Sequence, residues 1–240
     1  MPALARIVFL LCLAALAGCG ADDEKDAATM RTSTTTAAAP QPRGPVPPAL
    51  RTVESAAEDT IDHALAGDRA KAVRTANALV AAADGPAKRA LTAAGVGRGP
   101  IQDLHARSAE VARLAPKGEL LAVALAANHA FELVPGFFAR YQTRVPARVQ
   151  TLDYLDFEAK LRARAHDDAQ LRAAAEALRQ EWGGLRPGVV RAGGARPAAA
   201  FDAHVRRLTR LAGGSAGAEA AREAQHGLDL VDELEAVYER

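Results

Sequence analysis

Apolar residues and histidines recur three and four apart from about residue 49 onward, as in Leu125–His129–Leu133 and Phe201–His204–Leu208, with alanines and polar residues between them. Nothing in this stretch alternates strictly between apolar and polar, so strands are not expected. The chain is alanine-rich and only 4% aromatic, and alanine loses no side-chain entropy in a helix. The expected fold class is all-α. Punctuation residues divide the pattern into helices. The first runs from Leu50 to Ala66 and stops at Gly67; Asp68 caps a second reaching Ala83, before Asp84-Gly85-Pro86. A third starts near Pro100 and ends at Pro116-Lys117-Gly118, and a fourth covers Glu119–Tyr141 with a kink at Pro135. Four more are expected at 151–166, 167–183, 198–212 and 216–239, with a Gly/Pro loop at 184–197.

The second four echo the first. ANHAFELVPGFFARY at 127–141 matches AQHGLDLVDELEAVY at 224–238, an offset of 97 residues. Asp103, His105 and Arg107 match Asp202, His204 and Arg206 at an offset of 99, where Asp68 also falls on Asp167 and Leu79 on Leu178. Three blocks in one order predict an internal duplication. The expected domains are helical repeat 1 at 49–142 and helical repeat 2 at 143–240, two tandem antiparallel four-helix units.

The N-terminal part follows other rules. Arg6 precedes an apolar run, Ile7 to Leu16, too short to span a bilayer as a permanent helix. It ends in Leu16-Ala17-Gly18-Cys19, which resembles the lipobox of bacterial lipoproteins. That resemblance implies a signal peptide at 1–18, acylation of the Cys19 thiol and cleavage before it. More than one acyl chain gives stable anchoring. It also implies a cell-envelope location, on the cell or outer membrane, held at the extracytoplasmic face. Residues 19–48 then read as a tether, with a charged cluster Asp22–Asp26, a Ser33–Thr36 run and five prolines between Pro40 and Pro48.

Charge and cysteine count narrow the function classes. Lys and Arg total 30 against 29 for Asp and Glu, so the basic excess of a nucleic-acid binder is missing. Of the two cysteines, Cys12 leaves with the signal and Cys19 is acylated, so neither a disulfide scaffold nor a Cys-ligated zinc module is expected. P-loops, nucleophile elbows and H-E-x-x-H motifs are absent. The expectation is a non-enzymatic interaction or ligand-binding module without a cofactor, its partners being the membrane and another envelope protein.

The alternative is metal or haem binding. His105 pairs with His204 and His129 with His226 across the two repeats. His129 and Glu132 are three apart, as are His226 and Asp229, so each pair shares a helix face and can offer an imidazole and a carboxylate. A lone imidazole also suits haem. The segment His129-Ala130-Phe131-Glu132-Leu133 resembles the His-x-x-Glu motif of imelysin-type periplasmic proteins. The resemblance implies a duplicated helical bundle with a part in iron handling, and it carries over to His129 and Glu132. The chain has Ala127 where that family has glycine, and Pro135-Gly136 interrupts the apolar continuation.

The remaining polar groups have structural readings. Asp103 is expected to pair with Arg107, and Asp202 with Arg206. Asp229, Asp232, Glu233 and Glu235 read as a solvated acidic face, and Trp182 as the end of a helix packing between the repeats. Asp156 and Glu158, two apart, point to different sides of their helix. Phe131, Phe137, Phe138 and Tyr141 read as core.

Overall fold

The computed structural model describes residues 43–214 and 216–240, and they form an all-α body. The expected signal segment 1–18, Cys19 and the tether as far as residue 42 lie outside the described residues. The end of that expected tether is ordered: Arg43–Pro45 forms a short strand, β1, parallel to β2 at Tyr141–Gln142, and Val46 is buried.

Four helical segments lead: α1 (Pro48–Leu65), α2 (Arg69–Ala82), α4 (Arg98–Leu114) and α5 (Leu120–Phe131). Short α3 (Lys88–Ala93) extends α2, and short α6 (Val134–Phe138) extends α5 beyond Glu132-Leu133. α1 packs on α2 and α5, and α4 packs on α2 and α5, closing a ring of four. After β2 come α7 (Ala147–Arg164), α8 (Asp168–Arg191), α9 (Ala195–Ala212) and α10 (Gly217–Glu239). They close a second ring in chain order, α10 returning to α7. Asp68 and Asp167 each cap a helix, accepting from the backbone N–H of Lys71 at 3.0 Å and Gln170 at 3.1 Å.

Each ring encloses its own apolar core. Phe131, Phe137, Phe138 and Tyr141 are buried in the first. Leu120–Phe138 is apolar and long enough for a membrane span, yet half of that stretch is buried, against α1, α4 and α7. In the second, Phe201 lies against Trp182 with ring centroids 4.7 Å apart. Trp182 is therefore inside the second ring and within α8, not between repeats. Its indole N–H donates to Asp202 at 2.8 Å, and Arg186 completes the carboxylate's partners. Asp202 thus bonds to α8 rather than to Arg206 on its own helix. Arg107 likewise reaches across to Glu132 instead of turning to Asp103. Both corrections share a cause. A side chain near a helix–helix seam finds better-aligned partners across it than three or four residues along its own exposed face.

Two expected breaks are helical. Pro86 cannot donate a backbone hydrogen bond and its ring crowds the carbonyl four residues back; the chain widens into a π-turn, Ala83–Ala87, and continues into α3. Pro187 lies within α8, which runs unbroken to Arg191 through the expected loop. Leu185 and Val189 are buried there, so core packing outweighs the proline and glycine penalties.

α7 is the exception to amphipathicity. It touches α5 and α6 of the first ring as well as α8 and α10 of the second, so it is covered nearly all round. Gln150, Asp156, Glu158 and Lys160 are consequently buried alongside its apolar residues. Each such group needs a partner or a reason to lack one.

Candidate functional site

Most of these α7 groups are matched. Glu158 accepts from Arg162 at 2.6 Å and from the Asn128 amide at 2.8 Å, and Lys160 donates to Gln225 at 2.6 Å. Asp156 faces the opposite side and accepts from His204 Nε2 at 2.9 Å, while His204 Nδ1 bonds to Glu223 at 3.1 Å. The carboxylates of Asp156 and Glu158 do point to different sides, and they serve different cores.

Gln150 and Asp153 are the unmatched ones. With Phe157 they follow i, i+3, i+7 spacing and form one stripe of α7. That stripe is the floor of a cleft of about 510 Å³. One wall is α1, contributing Glu54, Glu58 and Asp62; the other is α10, contributing Asp229, Asp232, Glu235 and Glu239. Eight carboxylates thus face two guanidiniums, Arg51 and Arg144. Among the described residues, Glu54, Glu58, Asp153, Asp232 and Glu235 have no ion-pair partner within 4 Å. Gln150 is only 8% exposed, and its side-chain oxygen has no hydrogen-bond donor. Such an orphan acceptor costs about 1–3 kcal/mol.

Proton affinities report the same crowding. Burial, then the Glu235 charge, pushes Glu54 up to about 7 despite the opposing pull of Arg51. Burial, then Glu54 and Glu235, pushes Glu58 up to about 8. Asp153 is raised well above the carboxylate range by burial and then by Glu58 and Glu235, and Glu235 is raised by burial and then Asp232. Near neutral pH the cleft therefore holds protons that a bound cation would displace. Asp229, Asp232 and Glu233 are exposed, so the acidic run of α10 is solvated as expected, and Asp229, Asp232 and Glu235 also form one wall of this cleft.

The six sequence candidates do not converge. His129 is exposed; its carbonyl accepts from Arg107, which also holds Glu132, and its Nε2 lies 3.4 Å from an Arg162 nitrogen. His105 is exposed beside Asp84, at the edge of a second cavity of about 820 Å³ bordered by Lys88 and Arg98. His204 is buried, with both ring nitrogens already engaged by carboxylates. His226 is exposed with its ring 6.4 Å from that of His204, and Asp229 accepts from Gln225 and lines the acidic cleft. Among the described residues no three His, Cys, Asp or Glu side chains are grouped to hold a metal ion.

His204 sits at the centre of a different construction. Burial pulls its proton affinity down, but the bonds and charges of Asp156 and Glu223 outweigh that and hold it above the ordinary histidine value. Burial raises Asp156 in spite of His204, and one Asp156 oxygen has no partner. A β-carbon at Gly227 would lie 2.5 Å from the Asp156 carboxyl carbon and from both its oxygens. Glycine there is what lets α10 close over the carboxylate.

Sequence reasoning found one wall of the cleft as an acidic run but missed Glu54, Glu58, Gln150 and Asp153. The available signal was the spacing of Glu54, Glu58 and Asp62, four apart on α1, together with an α7 sequence lacking a polar face. Comparison with family models, curated proteins and solved structures finds no match.

Proposed function

We propose that this protein is a lipid-anchored, non-enzymatic binding module of the bacterial cell envelope whose acidic cleft takes a cationic ligand. The carrying observation is the set of carboxylates lining the cleft without ion-pair partners, above an orphan buried acceptor, Gln150. Carboxyl groups crowded in this way either repel one another or retain protons, and a bound cation relieves that cost. In a panel of tetralysine, spermidine, Ca²⁺ and Mg²⁺ at fixed ionic strength, at least one should raise the melting temperature above that in tetramethylammonium chloride. If none does, the reading fails.

The anchor rests on Leu16-Ala17-Gly18-Cys19. Cys19→Ser should abolish acyl labelling in the bacterial host and release the protein from membranes; continued membrane association would count against lipidation. The module is further read as two tandem copies of one four-helix unit. Gly67 and His166, 99 residues apart, both take positive φ (80° and 56°) immediately before the capping aspartates Asp68 and Asp167, which supports that reading. At the same offset Asp156 corresponds to Ala57, and at the offset of 97 Gly227 corresponds to Ala130. A small–small pair in one copy stands where a carboxylate–glycine pair stands in the other. The metal or haem alternative has no comparable support, because Arg107 and Arg162 surround the His129–Glu132 pair and His204 has no free ring nitrogen.

A further inference from the structure

The geometry points to a linear aliphatic polyamine, a diamine or triamine in its protonated form, as the ligand of the acidic cleft. This rests on the cation-binding reading above and specifies the chemical class.

The shape of the charge distribution is the first argument. The carboxylates stand in rows along two helices: Glu54 to Asp62 covers about 12 Å of α1, and Asp229 to Glu239 about 15 Å of α10, at 1.5 Å per residue. A spherical ion satisfies only neighbouring ligands, and no group of three among the described residues is placed to hold one. A flexible chain with charges spaced along it can meet both rows. An extended triamine reaches about as far as two helical turns, ~11 Å, which fits within the cleft.

The second argument is the floor. The lining also includes Phe157 and Leu228, which give methylene groups a small apolar surface. The Phe157 ring already carries one ammonium, that of Lys160, 5.3 Å from its centroid. Gln150 supplies the third argument. Its side chain lines the cleft while its partnerless oxygen is closed to solvent, and a turn of that side chain toward the cleft lets the oxygen accept from the N–H groups of an ammonium or secondary amine. Two fixed positive charges, Arg51 and Arg144, line the cleft, and the Lys160 ammonium lies close enough to Asp62 and Asp229 to interact with both.

The test is calorimetric titration of the full chain, as its Cys19→Ser variant, with spermidine, putrescine, butylamine, Ca²⁺ and Mg²⁺ at about 0.15 M ionic strength. Spermidine should bind one to one, at least 100-fold more tightly than butylamine or either metal ion. Gln150→Leu and Glu58→Gln should each weaken spermidine at least tenfold while melting no lower than the parent, since the first removes an unpartnered polar group and the second an unpaired carboxylate. If a metal ion binds one to one and the same variants weaken it, the polyamine assignment is overturned and the cation-binding reading stands. If spermidine binds but neither variant weakens it, the attraction is to general surface charge and the assignment is overturned. If no cation binds, both readings fall.

Discussion

Gly227→Ala should destabilise the protein by about 3 kcal/mol, lowering its melting temperature by roughly 10 °C. The added methyl would lie 2.5 Å from three atoms of the Asp156 carboxyl group. That group has little room to move, because it is fully enclosed and bound to His204 at 2.9 Å. Either α10 lifts from α7, exposing Leu230 and Val231 of the core, or the carboxylate turns away and His204 loses one of its two partners. Asp156→Ala should also cost about 3 kcal/mol, by leaving a cavity and a half-partnered buried histidine. Their combination is the decisive case. The double variant has alanine at both positions, as Ala57 and Ala130 stand at the corresponding places in the sequence, and should be no less stable than Asp156→Ala alone. Urea unfolding of the four proteins would then give a coupling energy of about 2–3 kcal/mol. Simple additivity would show that the contact between α10 and the carboxylate is not what requires glycine.

Glu58→Gln should have the opposite sign, and its effect should depend on pH. In the unfolded chain this carboxyl titrates near 4.5; in the folded protein it is pushed up to about 8, first by burial and then by Glu54 and Glu235. Between those values the native state holds a proton that the unfolded state has released. The group's stabilisation is therefore complete below pH 4.5 and is lost as pH rises through 8. A shift of that size corresponds to about 5 kcal/mol at full burial, and screening of a half-buried site reduces the figure to about 2. Wild-type stability should accordingly fall from pH 5 to pH 8.5, and Glu58→Gln should flatten that fall and exceed wild type at the alkaline end. Chemical denaturation at three pH values checks this. Parallel pH profiles for the two proteins would mean that Glu58 is not under electrostatic stress. A variant that stabilises the empty protein while weakening ligand is the behaviour expected of a binding residue.

Asp68 was legible as a cap before any fold was known, because a cap needs only its own next three residues, and Asp167, at the matching position, caps α8 in the same way. The all-helical class was legible for the same reason: alanine content, spacing and punctuation act within a turn or two. Pro86 and Pro187 mark where local rules misled. Both carry helix-breaking chemistry, yet one is absorbed by a wider turn and the other by packing of Leu185 and Val189. The histidines misled differently. Matching sequence positions suggested matching roles, but His105 is exposed beside Asp84 and His204 is enclosed between Asp156 and Glu223, because the side chains that face each one come from other helices.

The acidic cleft lay between these levels. Glu54, Glu58 and Asp62 are visibly one stripe of α1, and Asp229, Asp232 and Glu235 are visibly clustered on α10. Periodicity states which residues share a helix face, and by itself the sequence determined those stripes, the helices that bear them and the caps that end them. It does not state which face another helix covers. Only the tertiary structure decided that α7, packed between two rings, sets Gln150 and Asp153 beneath both acidic stripes. The physical reason is that burial and Coulomb repulsion depend on distances between helices remote in sequence, whereas helix propensity depends on neighbours along the chain.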